Sequence, residues 1–267
     1  MMDTFLGTSA LVAGSMLAGL FAIAAFFFVV TRGTLLVRSW RSETNNPAAH
    51  VYPVYSEMWL IRLVDFQPII SAILLFQYKK LVDRIVLEIE RSALFGKKVL
   101  ITSCAFGNVI PRLVSASVDG KVKRVIIADI IHNELLRAKE KLGDHVHRVD
   151  FVEENATKMN VRNSSLEINV LFFLLHELPH KLKEKALEEA GRVLAPGGKL
   201  ILAEFHRPDV LFLRVLSRLY FLVFEPYGLA LWDSHDPVLF LERTRAFTCE
   251  RSTYFFGNFQ VIVATKK

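Results

Sequence analysis

Residues 97–129 read KKVLITSCAFGNVIPRLVSASVDGKVKRVIIAD and contain two short apolar, partly β-branched runs separated by a loop and a helical pattern. KKVLITSC at 97–104 and VKRVIIAD at 122–129 are typical of buried strands, whereas VIPRLVSASV places its apolar residues at helical spacing. Pro111 lies near the start of that helix, where proline is tolerated. The stretch therefore predicts a strand, a crossover helix and a second, parallel strand.

The same alternation continues to the C-terminus. A helix is predicted over 132–143, strands over 147–154 and 167–176, a helix over 180–194 and a strand over 197–205. The run EINVLFFLLH at 167–176 does not alternate, which favours a strand covered on both faces. Residues 246–256 and 259–267 flank Gly257 and Asn258 and predict an antiparallel hairpin. The expected fold is α/β, a doubly wound and mostly parallel sheet closed by this hairpin.

The composition is apolar for a folded enzyme. Of 267 residues 52% are hydrophobic and 22% charged, with a mean hydropathy of +0.33, which excludes a disordered chain. The net charge is +6 without a long basic run, so no nucleic-acid binding is predicted. Cys104 and Cys249 are too few and too distant for a disulfide framework, which favours a reducing compartment.

The N-terminal region predicts a membrane anchor. Residues 4–31 contain no charge, and 9–31 are long enough for one transmembrane helix; a cleaved signal peptide is the alternative. Arg32, Arg38 and Arg41 follow, with no acid before Glu43. The positive-inside rule then puts the rest on the cytoplasmic side of the inner membrane, or in the mitochondrial matrix of a eukaryote. Small residues spaced four apart within the span leave a homodimer open.

The remaining domain boundaries follow from composition. Residues 1–8 form a short tail, and 32–53 are rich in turn formers and predict a linker. Residues 54–95 keep an apolar helical stripe interrupted at Pro68, which predicts a helical cap of two helices, over the pocket or on the membrane. The sheet domain occupies 96–267.

Candidate ligand-binding residues follow the first two strands, because ligands of such sheets bind at the carboxyl ends of the strands. Small residues at 103, 105 and 107 allow backbone amides to approach a ligand closely. Asp129 ends the second strand, where an acid typically accepts ribose hydroxyls.

These residues, with ENAT at 154–157 and GRVLAPGGKLILAEF at 191–205, resemble the class I S-adenosylmethionine-dependent methyltransferases. Ile101 stands where that family has an acid, Ser103 and Ala105 replace glycines, and Asn155 replaces an aspartate. The resemblance implies S-adenosylmethionine as cofactor, with the adenine near Asn155. Its implied contacts are Ser103, Cys104, Ala105, Gly107, Asp129, Ile130, Asn155 and Ala156.

A narrower resemblance, to the rhodoquinone-biosynthesis (RquA) family, rests on five motifs in order. These are VLITSCAFGN, LLHELPHKLK, EFHRP, FEPYGLALW and TYFFGNFQ. The resemblance implies an enzyme that converts ubiquinone to rhodoquinone by replacing a ring methoxy group with an amino group. It further implies S-adenosylmethionine as the nitrogen source and a manganese ion.

Catalytic candidates follow the fourth and fifth strands. His176 and Glu177 could bind a divalent ion or act as acid and base, and His206 could complete that metal site. Arg207 could hold a quinone carbonyl. The structural alternatives are a helix cap for Glu177 and packing or hydrogen-bonding roles for the others.

Two further functions stay open at this point. One is methyl transfer to a quinone or lipid, and the other is a non-catalytic cofactor-binding subunit of a quinone-biosynthesis complex. Residues 210–232 place Arg214 and Arg218 on one helical face among apolar residues, which suits a lid over the sheet or an interfacial helix that admits an isoprenoid tail.

Overall fold

The structure is a computed structural model that describes residues 58–92, 95–104, 106–119, 122–223 and 225–267, with seven helical residues between 14 and 25. The predicted tail and linker, and most of the predicted anchor at 9–31, lie outside the described residues and stay predictions. No helix formed by the described residues combines the length and the apolar character that a membrane crossing requires.

Between residue 58 and the sheet the structure describes three helices, α1 (Met58–Val64), α2 (Gln67–Ile73) and α3 (Tyr78–Glu90). The sequence predicted two helices divided at Pro68, and Pro68 does lie in the first turn of α2. A second break was missed, because Leu75 and Phe76 adopt positive φ angles of 49° and 58° and end the helical path before α3.

The described residues form one seven-stranded sheet. Its order is β3-β2-β1-β4-β5-β7-β6, and β5 pairs parallel with β4 but antiparallel with β7. The predicted mostly parallel sheet with antiparallel C-terminal strands is confirmed. The strands are β1 (Lys98–Thr102), β2 (Arg124–Asp129), β3 (Val149–Glu153), β4 (Leu166–Phe172), β5 (Leu194–Phe205), β6 (Phe247–Tyr254) and β7 (Phe259–Lys266).

Helices cover both faces of the sheet. On one face α3 packs with α4 (Val109–Asp119) and α5 (His132–Leu142); on the other α6 (His180–Val193) packs with α8 (Pro237–Arg243). Val99 and Ile101 of β1 are buried in the first layer and Leu100 in the second. A strand buried on both faces has no polar side, which explains its unbroken apolar sequence. Truncating Leu100 to alanine would cost about 2–5 kcal/mol.

A further helix, α7 (Leu211–Val223), follows β5 and is joined to α8 through a 3-10 turn at Gly228–Trp232. Phe221 anchors α7 in the core at 1% exposure, with its ring 5.0 Å from that of Phe205 and 5.7 Å from that of Trp232. Much of the remaining surface of α7 is exposed. The helix therefore lies over the edge of the sheet at the carboxyl end of β5.

Candidate functional site

A pocket of about 700 Å³, part of it open to solvent, lies at the carboxyl ends of β1, β2 and β4. Its position is the one expected for a ligand in this kind of sheet. It brings together most of the predicted cofactor residues. These are Ser103, Cys104, Asp129, Ile130, Asn155 and Ala156, and the predicted catalytic Glu177 also lines the pocket.

The loop after β1 has a glycine-type backbone conformation at Ser103. Ser103 has a φ of 77°, in the region that favours glycine, and its amide donates to the Ala128 carbonyl. The carboxylate of Asp129 accepts the amide of Cys104 at 2.6 Å and that of Ile131 at 2.8 Å. Asp129 therefore fixes the loop against the end of β2.

Asp129 is almost fully buried, and burial raises its pKa to about 6 against the opposing hydrogen bonds from the backbone. The sequence assigned its carboxylate to ribose hydroxyls. In the structure both oxygens already accept backbone amides. A carboxylate oxygen can accept a second hydrogen bond, so the loop-fixing role leaves the ribose role open.

Glu134 in the first turn of α5 is a pocket residue that the sequence did not single out. It is 2% exposed, and its Oε1 has no hydrogen-bond partner among the described residues. Burial, reinforced by the charge of Asp129, raises the pKa of Glu134 well above its usual range. A buried carboxylate without a partner is costly unless a ligand satisfies it, which makes Glu134 a binding candidate.

Gly107 does not line this pocket, in contrast to the sequence prediction. Its amide donates to Asp65 of the loop after α1 at 2.7 Å, and its carbonyl accepts the ammonium of Lys141. A Cβ at Gly107 would lie 2.5 Å from the hydroxyl oxygen of Tyr78. Gly107 thus joins the cap helices to the sheet. Ala105, also predicted to contact the cofactor, lies outside the described residues.

Asn155 lines the pocket at the end of β3, but the oxygen of its side chain accepts hydrogen bonds within its own turn. Its Oδ1 accepts both the amide and the hydroxyl of Thr157, at 2.9 and 2.8 Å. This Asx-type turn fixes the loop that carries Ala156 into the pocket wall.

His176 and Glu177 lie in a 3-10 turn, Leu175–Glu177, directly after β4. Nδ1 of His176 is 3.0 Å from Oε1 of Glu204, and Nε2 is 3.8 Å from Oε1 of Glu177. Burial lowers the pKa of His176, but the charge of Glu204 at 3.0 Å outweighs it and raises the pKa to about 9. The imidazole is therefore protonated near neutral pH and lies between the two carboxylates.

Lys183 in α6 completes this buried charged cluster. It is 1% exposed and donates to the carbonyls of Leu175 and Leu178. Burial lowers its pKa to about 7, although Glu204, Glu225 and Glu177 oppose the shift. The sequence contained one signal for it, because Lys183 lies one turn before the buried Ala186 and Leu187 on the same helix stripe.

His206 and Arg207 are not brought to this pocket. Nδ1 of His206 is 2.7 Å from the Gly257 carbonyl of the hairpin turn, and Nε2 faces a guanidinium nitrogen of Arg251. Arg207 lines a separate pocket beside α7. The described residues contain no group of three His, Cys, Asp or Glu side chains that could hold a metal. The predicted metal set of His176, Glu177 and His206 is therefore not assembled, because the chain turns away after Phe205.

Comparison with known proteins agrees with this geometry. Residues 65–249, more than half of the chain, match the family model for the ubiE/COQ5 methyltransferase family. The chain belongs to that family. Two ubiquinone/menaquinone biosynthesis C-methyltransferases of this family, UbiE, are among its relatives. The Bartonella bacilliformis protein is 31% identical over 130 residues, and the Yersinia pestis protein 32% over 127 residues.

The matches to these two relatives cover less than half of this chain and less than half of each relative. They cover 48% and 47% of this chain and 47% and 48% of the two relatives, so the chain spans less than half the length of each relative. The family model, at residues 65–249, covers the cap from Asp65 onward and the sheet as far as Cys249 in β6.

Solved structures give the same fold. An S-adenosylmethionine-dependent methyltransferase from Aquifex aeolicus superposes with a TM-score of 0.52 at 17% identity, covering 70% of this chain and 89% of that chain. The N-methyltransferase NodS from Bradyrhizobium japonicum, in complex with S-adenosylhomocysteine, has a TM-score of 0.52 at 13% identity, covering 76% and 90%. The expected class I methyltransferase fold is confirmed.

Proposed function

We propose that this chain is an S-adenosylmethionine-using enzyme that modifies a lipid quinone. The observation that carries the proposal is the acidic pocket at the carboxyl ends of the strands. S-adenosylmethionine carries a sulfonium and an ammonium group, and a recessed pocket of carboxylates favours such a cation. The pocket contains four carboxylate side chains, Asp129, Glu134, Glu154 and Glu177.

The residues present fit this cofactor. The loop fixed by Asp129 would hold the amino-acid part, and Asn155 with Ala156 would border the adenine. The unpartnered Oε1 of Glu134 is a natural acceptor for an ammonium group. When bound, S-adenosylmethionine would supply its amino nitrogen in the leading proposal, or the methyl group on its positively charged sulfur in the second candidate.

The chain's own chemistry comes from Glu177 and the groups behind it. Glu177 lines the pocket, and the protonated His176 lies between it and the buried Glu204. Such an arrangement orients a carboxylate for acid and base catalysis. Glu177 is therefore the proposed acid and base, with His176 and Glu204 as positioning residues. No step of this proposal passes through a metal.

Within this function we propose the amino-for-methoxy exchange that converts ubiquinone to rhodoquinone. The amino nitrogen of the cofactor would bond to the ring carbon as the methoxy group leaves as methanol. The bond from that nitrogen to the cofactor's α-carbon would then break with loss of a β-proton, which leaves an unsaturated cofactor remnant and needs no oxidant or reductant. The support for this exchange is the set of five RquA-type motifs, together with a cofactor loop in which Ser103 holds a glycine conformation. The second candidate is C-methylation of a quinone. Its support is the printed activity of the UbiE relatives.

The quinone substrate would reach the site from a membrane. The charge-free stretch at 4–31 supports single-pass anchoring, and Arg32, Arg38 and Arg41 support an active domain on the cytoplasmic or matrix side. A lipid quinone is itself confined to the bilayer, so an anchored enzyme would meet it there.

The test is expression in cells that make ubiquinone but no rhodoquinone, followed by mass analysis of the extracted quinones. An aminated quinone supports the leading proposal, and a quinone with an added methyl group supports the second candidate. An unchanged quinone pool with verified protein in the membrane would overturn both and favour a non-catalytic cofactor-binding subunit.

A further inference from the structure

Three arginines converge beside α7, away from the pocket described above. Arg207, Arg214 and Arg218 line a pocket of about 450 Å³, part of it open to solvent, together with Trp232 and Asp233. Asp233 is the one carboxylate in its lining; it lies 3.3 Å from Arg207 and is 73% exposed. Three guanidinium groups against one exposed carboxylate give the pocket a net positive charge.

The donors of this pocket are only partly used. Arg214 donates to the carbonyls of Pro208 and Asp209, which fixes its side chain at the start of α7. Arg218, one turn further along, has no hydrogen bond or ion pair with any described residue. The indole nitrogen of Trp232 is buried and also lacks a partner among the described residues. The pocket thus offers N–H donors for an anion with several oxygens, such as a phosphate group.

An apolar surface lies directly beside these arginines on the same helix. With about 3.6 residues per turn, Arg214 and Arg218 border the exposed stripe on one side and the buried Phe221 on the other. The stripe is unusually apolar for a water-exposed helix face. Its members are Leu211, Phe212, Val215, Leu216, Leu219 and Leu222, each 48–72% exposed.

We propose that this arginine pocket binds the phosphate of an anionic phospholipid, with the apolar stripe of α7 inserted among the acyl chains. Interfacial helices combine such a stripe with flanking basic residues, and arginine pairs with phosphate through two parallel hydrogen bonds. The chain's charge of +6 favours an anionic surface. This docking does not depend on which reaction the enzyme performs.

The test counts lipids bound to the full-length chain by native mass spectrometry. The protein is released from neutral detergent that contains phosphatidylglycerol and phosphatidylcholine with identical acyl chains. We expect phosphatidylglycerol to bind about tenfold more tightly, and Arg214→Gln with Arg218→Gln to remove about tenfold of that preference. Equal binding of the two lipids to the wild-type protein would overturn the proposal whether or not the variant folds.

The double variant Arg148→Gln with Arg162→Gln is the matched control, because both are exposed arginines outside the arginine pocket, on the 3-10 turn before β3 and in the loop after it. This control removes the same charge as the arginine-pocket variant and should keep the wild-type preference for phosphatidylglycerol. An equal loss of that preference in both variants would show that net charge causes it and would contradict a specific binding site. Inorganic phosphate alone is the second probe. Displacement of phosphatidylglycerol by phosphate at matched concentration would assign the pocket to free phosphate and overturn the lipid proposal.

Discussion

The carboxylate of Glu204 holds both the imidazole of His176 and the turn that carries it. Its Oε1 lies 3.0 Å from Nδ1 of His176, and its Oε2 accepts the amides of Leu175 and His176 at 2.9 and 3.2 Å. Glu204 is fully buried at the end of β5. One side chain therefore transmits the position of β5 to the turn after β4 that carries His176 and Glu177.

Glu204→Gln should change how stability depends on pH. The pKa of His176 is about 9 in the folded state, against 6.5 unfolded, so His176 contributes stability that is complete below pH 6.5 and lost as pH rises through 9. Replacing Glu204 removes the charge that raises this pKa. Relative to wild type, the variant should gain up to about 1.4 kcal/mol per pH unit between pH 7 and 9. Urea unfolding of the detergent-solubilised chain at several pH values measures this difference in the free energy of unfolding.

Lys183→Met should change the pH dependence of the free energy of unfolding in the opposite direction. It serves as the control for Glu204→Gln. The pKa of Lys183 is about 7 folded and 10.5 unfolded, so the unfolded state holds the extra proton between these values and stability rises with pH. Its removal leaves the falling contribution of His176. Parallel curves for both variants and wild type between pH 7 and 9 would contradict the charged cluster.

Glu177→Gln should lower product formation by about 100- to 10,000-fold, the factor that an acid and base typically contributes, and should weaken cofactor binding less than Glu134→Gln does. His206→Gln is the matched comparison, since His206 bonds the hairpin turn and lies outside the pocket. It should retain most activity. Equal loss in both variants, measured by quinone extraction and cofactor titration, would restore the sequence-based assignment of His206.

Glu134→Gln should weaken S-adenosylmethionine binding about tenfold, because it removes a buried carboxylate whose Oε1 has no partner among the described residues. Wild-type affinity should rise from pH 5 to 7, because burial raises the pKa of Asp129 to about 6 and its ionisation adds negative charge around a cationic ligand. Asp144→Asn, on an exposed turn, is the control and should behave as wild type in calorimetric titration.

Gly107→Ala should destabilise the fold more than Gly143→Ala. Both glycines have positive φ, at 78° and 49°, and alanine costs about 1–2 kcal/mol there. A Cβ at Gly107 additionally meets the Tyr78 hydroxyl, whereas nothing lies within 4 Å of one at Gly143. The clash adds about 1–3 kcal/mol. Equal losses in thermal unfolding would show that the cap helices do not pack on this loop.

The sheet was predictable because each strand and helix carries a local period. The predicted runs 122–129 and 180–194 match β2 at Arg124–Asp129 and α6 at His180–Val193 within two residues. The cofactor pocket was partly predictable for the same reason, since the residues after parallel strands meet at one edge. Positions such as Asp129 follow from topology alone.

The failures concern contacts between distant parts of the chain. Gly107 was predicted to contact the cofactor, but Asp65, 42 residues earlier, binds its amide. Glu134 was missed because a charged residue in an amphipathic helix is normally exposed. Arg207 joins Arg214 and Arg218 only through the orientation of α7, which no local pattern specifies.

The most direct test of the account follows two labels from one cofactor. The full-length protein in membranes receives ubiquinone and S-adenosylmethionine that carries heavy nitrogen in its amino group and heavy carbon in its methyl group. We predict heavy nitrogen, and no heavy methyl group, on the quinone ring. A heavy methyl group on the ring would support quinone methylation instead. A quinone with neither label, despite bound cofactor, would contradict the proposed enzyme function.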